Sequence, residues 1–277
     1  MGIRGPFDFD ALPVRSLDWI QSEMAKKGLP PLIMASELGE VEFVTTGIKE
    51  LDDIIKPKNS KKPGGFPVGR IVEIYGLEGV GKTSLTLSAI AGMQKAKKKV
   101  LFIDVENALN PSWAKEFGVD LEQLALSTEV TVEGITELVI GYLADFDAIV
   151  VDSLAAMIPR AEYEGEAGEA HMGLKARLMG SFMRKVPGLL ATSKCSLIFI
   201  NQQRENLEMF TAKYTTPGGK AVPFATSLRI ELKSTKKDKI EVTKDGVKSQ
   251  PGKWITAHIE KSKVSTPHVE ARFKLLY

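Results

Sequence analysis

Eight consecutive residues constrain this chain more than any others. Gly76-Leu77-Glu78-Gly79-Val80-Gly81-Lys82-Thr83 satisfy the pattern G-x-x-x-x-G-K-[ST], directly after an apolar run, Ile71 to Tyr75, and directly before a helical segment near Lys82–Ala96. A strand feeding a glycine loop and then a helix lets bare backbone N–H groups curl around phosphate oxygens, and the helix N-terminus adds its positive end. An ordinary glycine-rich turn has no reason to keep all three in register. In this setting Lys82 bridges the β- and γ-phosphates of a nucleoside triphosphate, Thr83 offers its hydroxyl to Mg²⁺, and Ser84 completes the phosphate-facing set.

The flanking pattern extends the motif into a fold. Apolar runs of strand length recur at Val100–Asp104, Ala148–Asp152 and Leu197–Asn201, separated by helical segments near Val132–Ala144 and Gly173–Ala191. Continuous apolar strands alternating with helices predict an α/β core, a mainly parallel sheet covered on both faces. Beyond Ser227 the pattern changes to alternation, with Asp245-Gly246 as the turn of a hairpin between Lys239–Thr243 and Trp254–Glu260, and a last strand at Val269–Leu275. That predicts an antiparallel extension of the sheet. Ahead of the core, Ser16 caps an amphipathic helix to about Lys27 with Leu17, Ile20 and Met24 on one stripe. The expected division is an N-terminal arm and helix over 1–40, followed by a core over 41–277.

Two more strand ends carry carboxylates. Ala148–Asp152 is an apolar strand ending in Asp152, placed to hold Mg²⁺ beside Thr83, and Glu106 lies just beyond Val100–Asp104. Ligands of α/β sheets gather at the carboxyl ends of strands, so Glu106 is the candidate to orient and deprotonate an attacking water.

Charge and composition narrow the class. Lys and Arg number 37 against 35 Asp and Glu, a formal net charge of +2 that argues against gripping nucleic acid by bulk electrostatics. No window approaches the roughly 18 uninterrupted apolar residues of a membrane helix, and the start, MGIRGPFDFD, lacks the basic and apolar regions of a signal peptide. A soluble protein of the cytoplasm is expected. The one cysteine, Cys195, cannot form an internal disulfide and reads as a small buried hydrophobe at a strand start.

The segments GRIVEIYGLEGVGKTS, FIDVENALNPSWAKEFGVD, IVVDSLAAMIPRAEYEGEAGEAHMGLKAR, LIFINQQR, TTPGGKAVPF and ARFKLLY occur in one order from about residue 32 to 277. Together they resemble the bacterial RecA family of strand-exchange recombinases. The resemblance implies an ATP- and Mg²⁺-dependent, DNA-stimulated ATPase that forms helical filaments on single-stranded DNA and pairs it with homologous double-stranded DNA. Glu106 matches the family's catalytic glutamate, and Gln202 the glutamine that senses the γ-phosphate. Trp113 stands where the family stacks a tyrosine on adenine, and Asn110 where an aspartate is usual. Lys261 and Lys263 match lysines that reach a neighbouring subunit's phosphates, while Pro223 replaces a third lysine of that set.

The resemblance also implies two DNA-binding loops, Arg160–Gly173 and Gln203–Lys220. Arg177, Arg184 and Arg204 would supply charge, Gly218 and Gly219 backbone N–H groups, and Met172 and Leu207 apolar wedges between bases. Gly180 takes the place of a serine of the family. From Lys233 to Lys263 there are nine lysines against Asp238, Glu241, Asp245 and Glu260, so this basic hairpin is either a second DNA site or a solvated surface. The expectation is either a divergent member, bacterial or phage, without the small domain the family usually has after its core, or a trimmed piece of a longer protein. The alternatives are a ring-forming branch-migration or helicase motor of the same fold, or a non-catalytic recombination mediator.

Overall fold

The computed structural model describes residues 15–37, 39–165, 173–205, 214–244 and 247–276. Its contacts divide the chain into Met1–Glu40 and Val41–Tyr277.

In the first unit, α1 (Leu17–Lys26) starts at Ser16, whose Oγ accepts from Trp19 N at 3.2 Å, and carries Asp18 in its first turn and Lys26 in its last. Both charges oppose the helix dipole. The chain after it folds back, with Gln21 Nε2 donating to Leu32 O at 3.0 Å. No residue of α1 is buried, and Leu17 and Trp19 stand exposed.

The second unit opens with β1 (Phe43–Val44), α2 (Lys49–Ile54) and β2 (Phe66–Pro67), β1 pairing antiparallel with β2. The core follows in the order β3 (Ile71–Gly76), α3 (Lys82–Lys95), β4 (Val100–Asp104), α4 (Pro111–Glu116), β5 (Leu124–Ser127), α5 (Val132–Tyr142), β6 (Ala148–Asp152), α6 (Arg160–Glu164), α7 (Leu174–Ala191) and β7 (Ser196–Gln202). Then come a short ladder of β8 (Arg204–Glu205) with β9 (Tyr214–Thr215), α8 (Ala221–Ala225), β10 (Leu228–Lys233), β11 (Lys239–Lys244), β12 (Val247–Ser262) and β13 (Glu270–Leu276).

The sheet order is β11-β12-β10-β3-β7-β6-β4-β5, with β13 also on β12. From β10 to β5 every neighbouring pair is parallel. Alternate residues of each strand go to opposite faces, and both faces are covered. Val72, Ile74, Phe102, Val150 and Ile198 join Leu85 and Ile90 of α3 on one side. Leu101, Ile149 and Phe199 join Ile135, Phe182 and Val186 on the other, where the Phe182 and Phe199 rings meet edge to face at 5.9 Å. This two-sided burial is why the central strands read as unbroken apolar runs.

Several elements depart from the sequence reading, among them α6, which makes the start of the expected loop Arg160–Gly173 helical, and β8 with β9, which form a short ladder within the expected loop Gln203–Lys220. β5 escaped it because an edge strand of four residues with half-exposed side chains carries little pattern. α4 is only six residues long and starts on the Asn110-Pro111 cap rather than on a periodicity. β10 alternates, as expected of the extension, yet it pairs parallel with β3 and only its other edge is antiparallel, to β12. β12 is far longer than expected, running from the hairpin through to Ser262 and pairing with three strands in turn. The Asp245-Gly246 turn lies outside the described residues, while the strands on either side of it pair down to Lys244 with Val247.

Among the described residues no helix is long and apolar enough to cross a membrane. Cys195 is fully buried immediately before β7, and burial pushes its thiol up to about 12. At pH 8 roughly one molecule in ten thousand would then hold the thiolate. Native protein should therefore fail to react with Ellman's reagent at that pH, and one equivalent should react in denaturant; fast native labelling would contradict the burial.

Candidate active site

The glycine loop owes its composition to close neighbours. A Cβ on Gly76 would lie 2.5 Å from Leu232 O of β10. Gly81 has φ +107° and caps α3, and a Cβ there would meet Ile255 of β12 at 2.9 Å and Leu275 of β13 at 3.0 Å. Only glycine fits either place. No side chain caps α3, which leaves its first-turn N–H groups for an anion.

Lys82 is buried, with its Nζ donating to Gly76 O at 3.1 Å and Leu77 O at 2.9 Å. Burial lowers its pKa, against the pull of Asp152 and Glu106. Thr83 Oγ1 donates to Asp152 Oδ2 at 2.8 Å, so the two predicted Mg²⁺ residues touch across the loop. Asp152 is pushed up to about 6, first by burial and then by the nearby carboxylates of Glu106 and Asp104, with the Thr83 bond opposing.

The register of the parallel strands assembles the remainder. Asp104 is aligned with Asp152, and Gly76 with Gln202. Beyond β4, Asp104 takes the N–H groups of Ala108 and Leu109 on its carboxylate at 3.1 and 2.8 Å, while Val105 N donates to Asp152 O at 2.8 Å. That turn presents Glu106, whose Oε1 accepts from Ser153 Oγ and, at 3.4 Å, from Gln202 Nε2. Asn110 caps α4 by accepting from Trp113 N at 3.1 Å, and the Trp113 ring stands edge-on to Phe117 at 5.3 Å. Asn is among the residues best suited to this capping position.

A cleft of about 380 Å³ opens between these groups, lined by Lys82, Thr83, Glu106, Trp113, Asp152 and Gln202. Glu78, Gly79, Gly81 and Ser84 complete its loop side, together with one residue the sequence reading did not single out, Lys253. Leu77 and Val80 instead face an adjacent groove of about 600 Å³ that Lys233, Lys236 and Lys239 also line.

Two kinds of comparison bear on this cleft. The family model for the RecA N-terminal domain matches residues 15–277. The chain is 43% identical over 240 residues to protein RecA of Streptomyces venezuelae, covering 86% of this chain and 60% of that protein. It is 40% identical over 275 residues to protein RecA of Leifsonia xyli subsp. xyli, covering 98% and 73%. The chain belongs to the RecA family. It spans about three fifths of the length of its Streptomyces relatives.

Not every residue that the RecA resemblance nominates meets in this cleft. Lys261 pairs with Arg229, which is aligned with Glu73, so it lies three residue levels, roughly 10 Å, short of Gly76 along the sheet. Its Nζ donates to Pro223 O at 2.6 Å and Phe224 O at 3.2 Å. Lys263 follows it, its N–H on Ser227 O. Within one chain neither lysine reaches the cleft that Lys82 lines. Arg177 and Arg184 are exposed two turns apart on α7, with Gly180 between them. Gly218 and Gly219 adopt φ +101° and +67° in the turn after β9. Arg204 falls in β8, and Met172 and Leu207 lie outside the described residues.

Sequence reasoning missed Ser153, Asn201 and Lys253. Ser153 follows a residue already singled out, so proximity to Asp152 was its only signal. Asn201 Nδ2 donates both to Glu73 Oε1 at 2.8 Å and to Pro217 O at 2.9 Å, tying the sheet interior to the turn that carries Gly218. Nothing in its own neighbourhood marks Lys253, which reaches the loop from 174 residues away.

The Asp152 shift gives a pH signature for metal-free protein. Its folded pKa lies above the ordinary carboxylate value of 3.8, so ionisation is disfavoured in the fold. That penalty is absent below pH 4 and fully present above about 6. In EDTA, Asp152→Asn should flatten the fall in thermal midpoint between those pH values; an unchanged slope would contradict the assignment.

Proposed function

We propose that the chain is the ATPase core of a recombinase that polymerises on single-stranded DNA, pairs it with homologous duplex and exchanges strands. The observation that carries this reading is the meeting of Lys82, Thr83, Asp152, Glu106 and Gln202 in one cleft of a RecA-family chain. Thr83 and Asp152 offer hard oxygen donors that fit Mg²⁺, which needs few protein ligands and draws others from phosphates and water. Bound with ATP, the ion would neutralise charge building between the β- and γ-phosphates.

The residues of the chain do the rest. Lys82 moves from the loop carbonyls to the phosphates, and Trp113 offers its face to adenine. Glu106 accepts a proton from the attacking water, held in orientation by Ser153 and Gln202. Gln202 touches Glu106 and directly precedes the stretch 203–220, so a change at the γ-phosphate passes into a DNA-binding loop. Lys261 and Lys263, remote from their own cleft, serve the cleft of the next subunit, which makes hydrolysis depend on assembly. The apolar side of α1, with Leu17 and Trp19 exposed among the described residues, would pack on a neighbouring protomer. Arg177, Arg184, Arg204, Gly218 and Gly219 would hold the DNA backbone and Met172 and Leu207 would wedge between bases, an interaction tolerant of sequence. The cytoplasm is the compartment this function requires.

Lys82→Ala should reduce ATP turnover to background and abolish joint molecules between circular single strand and homologous linear duplex. Retained DNA-stimulated turnover would overturn the site assignment. With wild-type protein, electron microscopy in ATP and single-stranded DNA should show open helical filaments; closed rings would favour a branch-migration or helicase motor, and filaments without joint molecules a mediator.

A further inference from the structure

We propose that Lys253 is a second cation of the nucleotide cleft, contributed in cis by the C-terminal hairpin, that braces the tip of the glycine loop and binds the polyphosphate of a nucleoside triphosphate. The inference rests on the nucleotide reading of the cleft and adds a residue to it.

Geometry carries it. Lys253 sits on β12 where that strand pairs with Leu275 of β13 on one edge and Lys239 of β11 on the other. Ile255 and Leu275, from the same hairpin, pack where a Gly81 side chain would be, and the Lys253 stem comes within 3.5 Å of that place. The Lys253 ammonium donates to Gly79 O and lines the cleft together with Lys82, Glu106 and Asp152. Gly79 is the middle glycine of the loop, with φ +67°.

The chemistry follows from the loop's polarity. A backbone that aims its N–H groups at phosphate turns carbonyl oxygens away, and each such oxygen is a negative end needing a partner. Lys82 donates to Gly76 O and Leu77 O, which also accept from Gln203 N and Val80 N, and Lys253 donates to Gly79 O. A lysine ammonium has three donors, so Lys253 keeps two for an anion. Its charge also acts on the cleft without contact, being among the groups that depress Lys82. Burial, and then the charge of Lys239, lower Lys253's own pKa, a penalty on the ammonium that a polyphosphate in the cleft would relieve.

Lys253→Met keeps the stem that packs by Gly81 and deletes the ammonium. Titration calorimetry of the full chain with MgATP and with MgADP should show binding weakened about ten-fold at low ionic strength, the gap closing at high salt. Steady-state hydrolysis with DNA should show the same change in KM with kcat retained, and Lys253→Arg should restore wild-type binding. Wild-type affinity in the methionine variant would overturn the inference, as would a lowered thermal midpoint of nucleotide-free protein with affinity unchanged, the signature of a purely structural brace. Failure of the wild-type chain itself to bind MgATP saturably would overturn the nucleotide reading beneath it, and is read in the same titration.

Discussion

The register of the parallel strands is the constraint on which the rest of this molecule depends. Side chains alternate along a strand, so a slip of one residue would exchange the core faces and redirect every group at the strand ends. With Asp104 beside Asp152 and Gly76 beside Gln202, the loop, both carboxylates and the glutamine emerge at one level. Each central strand presents apolar side chains to both layers of helices, so the paired strands bury both faces at once. The cost of the arrangement falls on the groups at the strand ends, where Asp152 and Lys82 are desolvated and each has its charged form disfavoured.

A second set of contacts ties this frame to the strands outside it. Glu73 of β3 is fully buried, accepting from Asn201 of β7 at 2.8 Å and from Arg229 of β10 at 2.6 Å. Arg229 continues to Glu260 of β12 and lies 4.6 Å over the Tyr75 ring, and the Tyr75 hydroxyl donates to Glu260. A buried carboxylate on a central strand is expensive unless paired, and here the neighbouring strands β7 and β10 each supply a partner, with β12 joined through Arg229 and Tyr75. The network therefore fixes how the antiparallel edge, with Lys253 near one end and Lys261 near the other, is held against the parallel core.

Local chemistry made much of this legible. The glycine loop, the apolar strands and the carboxylates at their ends follow from spacing and polarity, which is why Lys82, Thr83, Glu106 and Asp152 meet where the residues alone placed them. Gln202 and Trp113 came from family resemblance, because a glutamine after a strand and an aromatic after a proline carry no chemistry of their own. What stayed hidden depends on distant strands meeting. β10 alternates like an edge strand because its faces are unequally covered, yet its neighbour is the central strand β3. Lys253 looks like one more solubility lysine in a basic hairpin until the sheet order brings β12 to the loop.

The same topology divides the lysines of β12 between two tasks. A long strand crossing the edge of the sheet has two ends about 26 Å apart when roughly eight residues separate them. Lys253, toward the carboxyl ends of the parallel strands, meets its own glycine loop; Lys261, toward the amino ends, meets Pro223 and Phe224 instead. No side-chain rotation exchanges these places. On the proposed reading, one strand thus completes the cleft of its own chain with one lysine and offers another to the next. Basic residues so divided need no large net charge, since each acts within a few ångströms of one phosphate group, and a chain with a total of +2 can bind polyanions at several separate points.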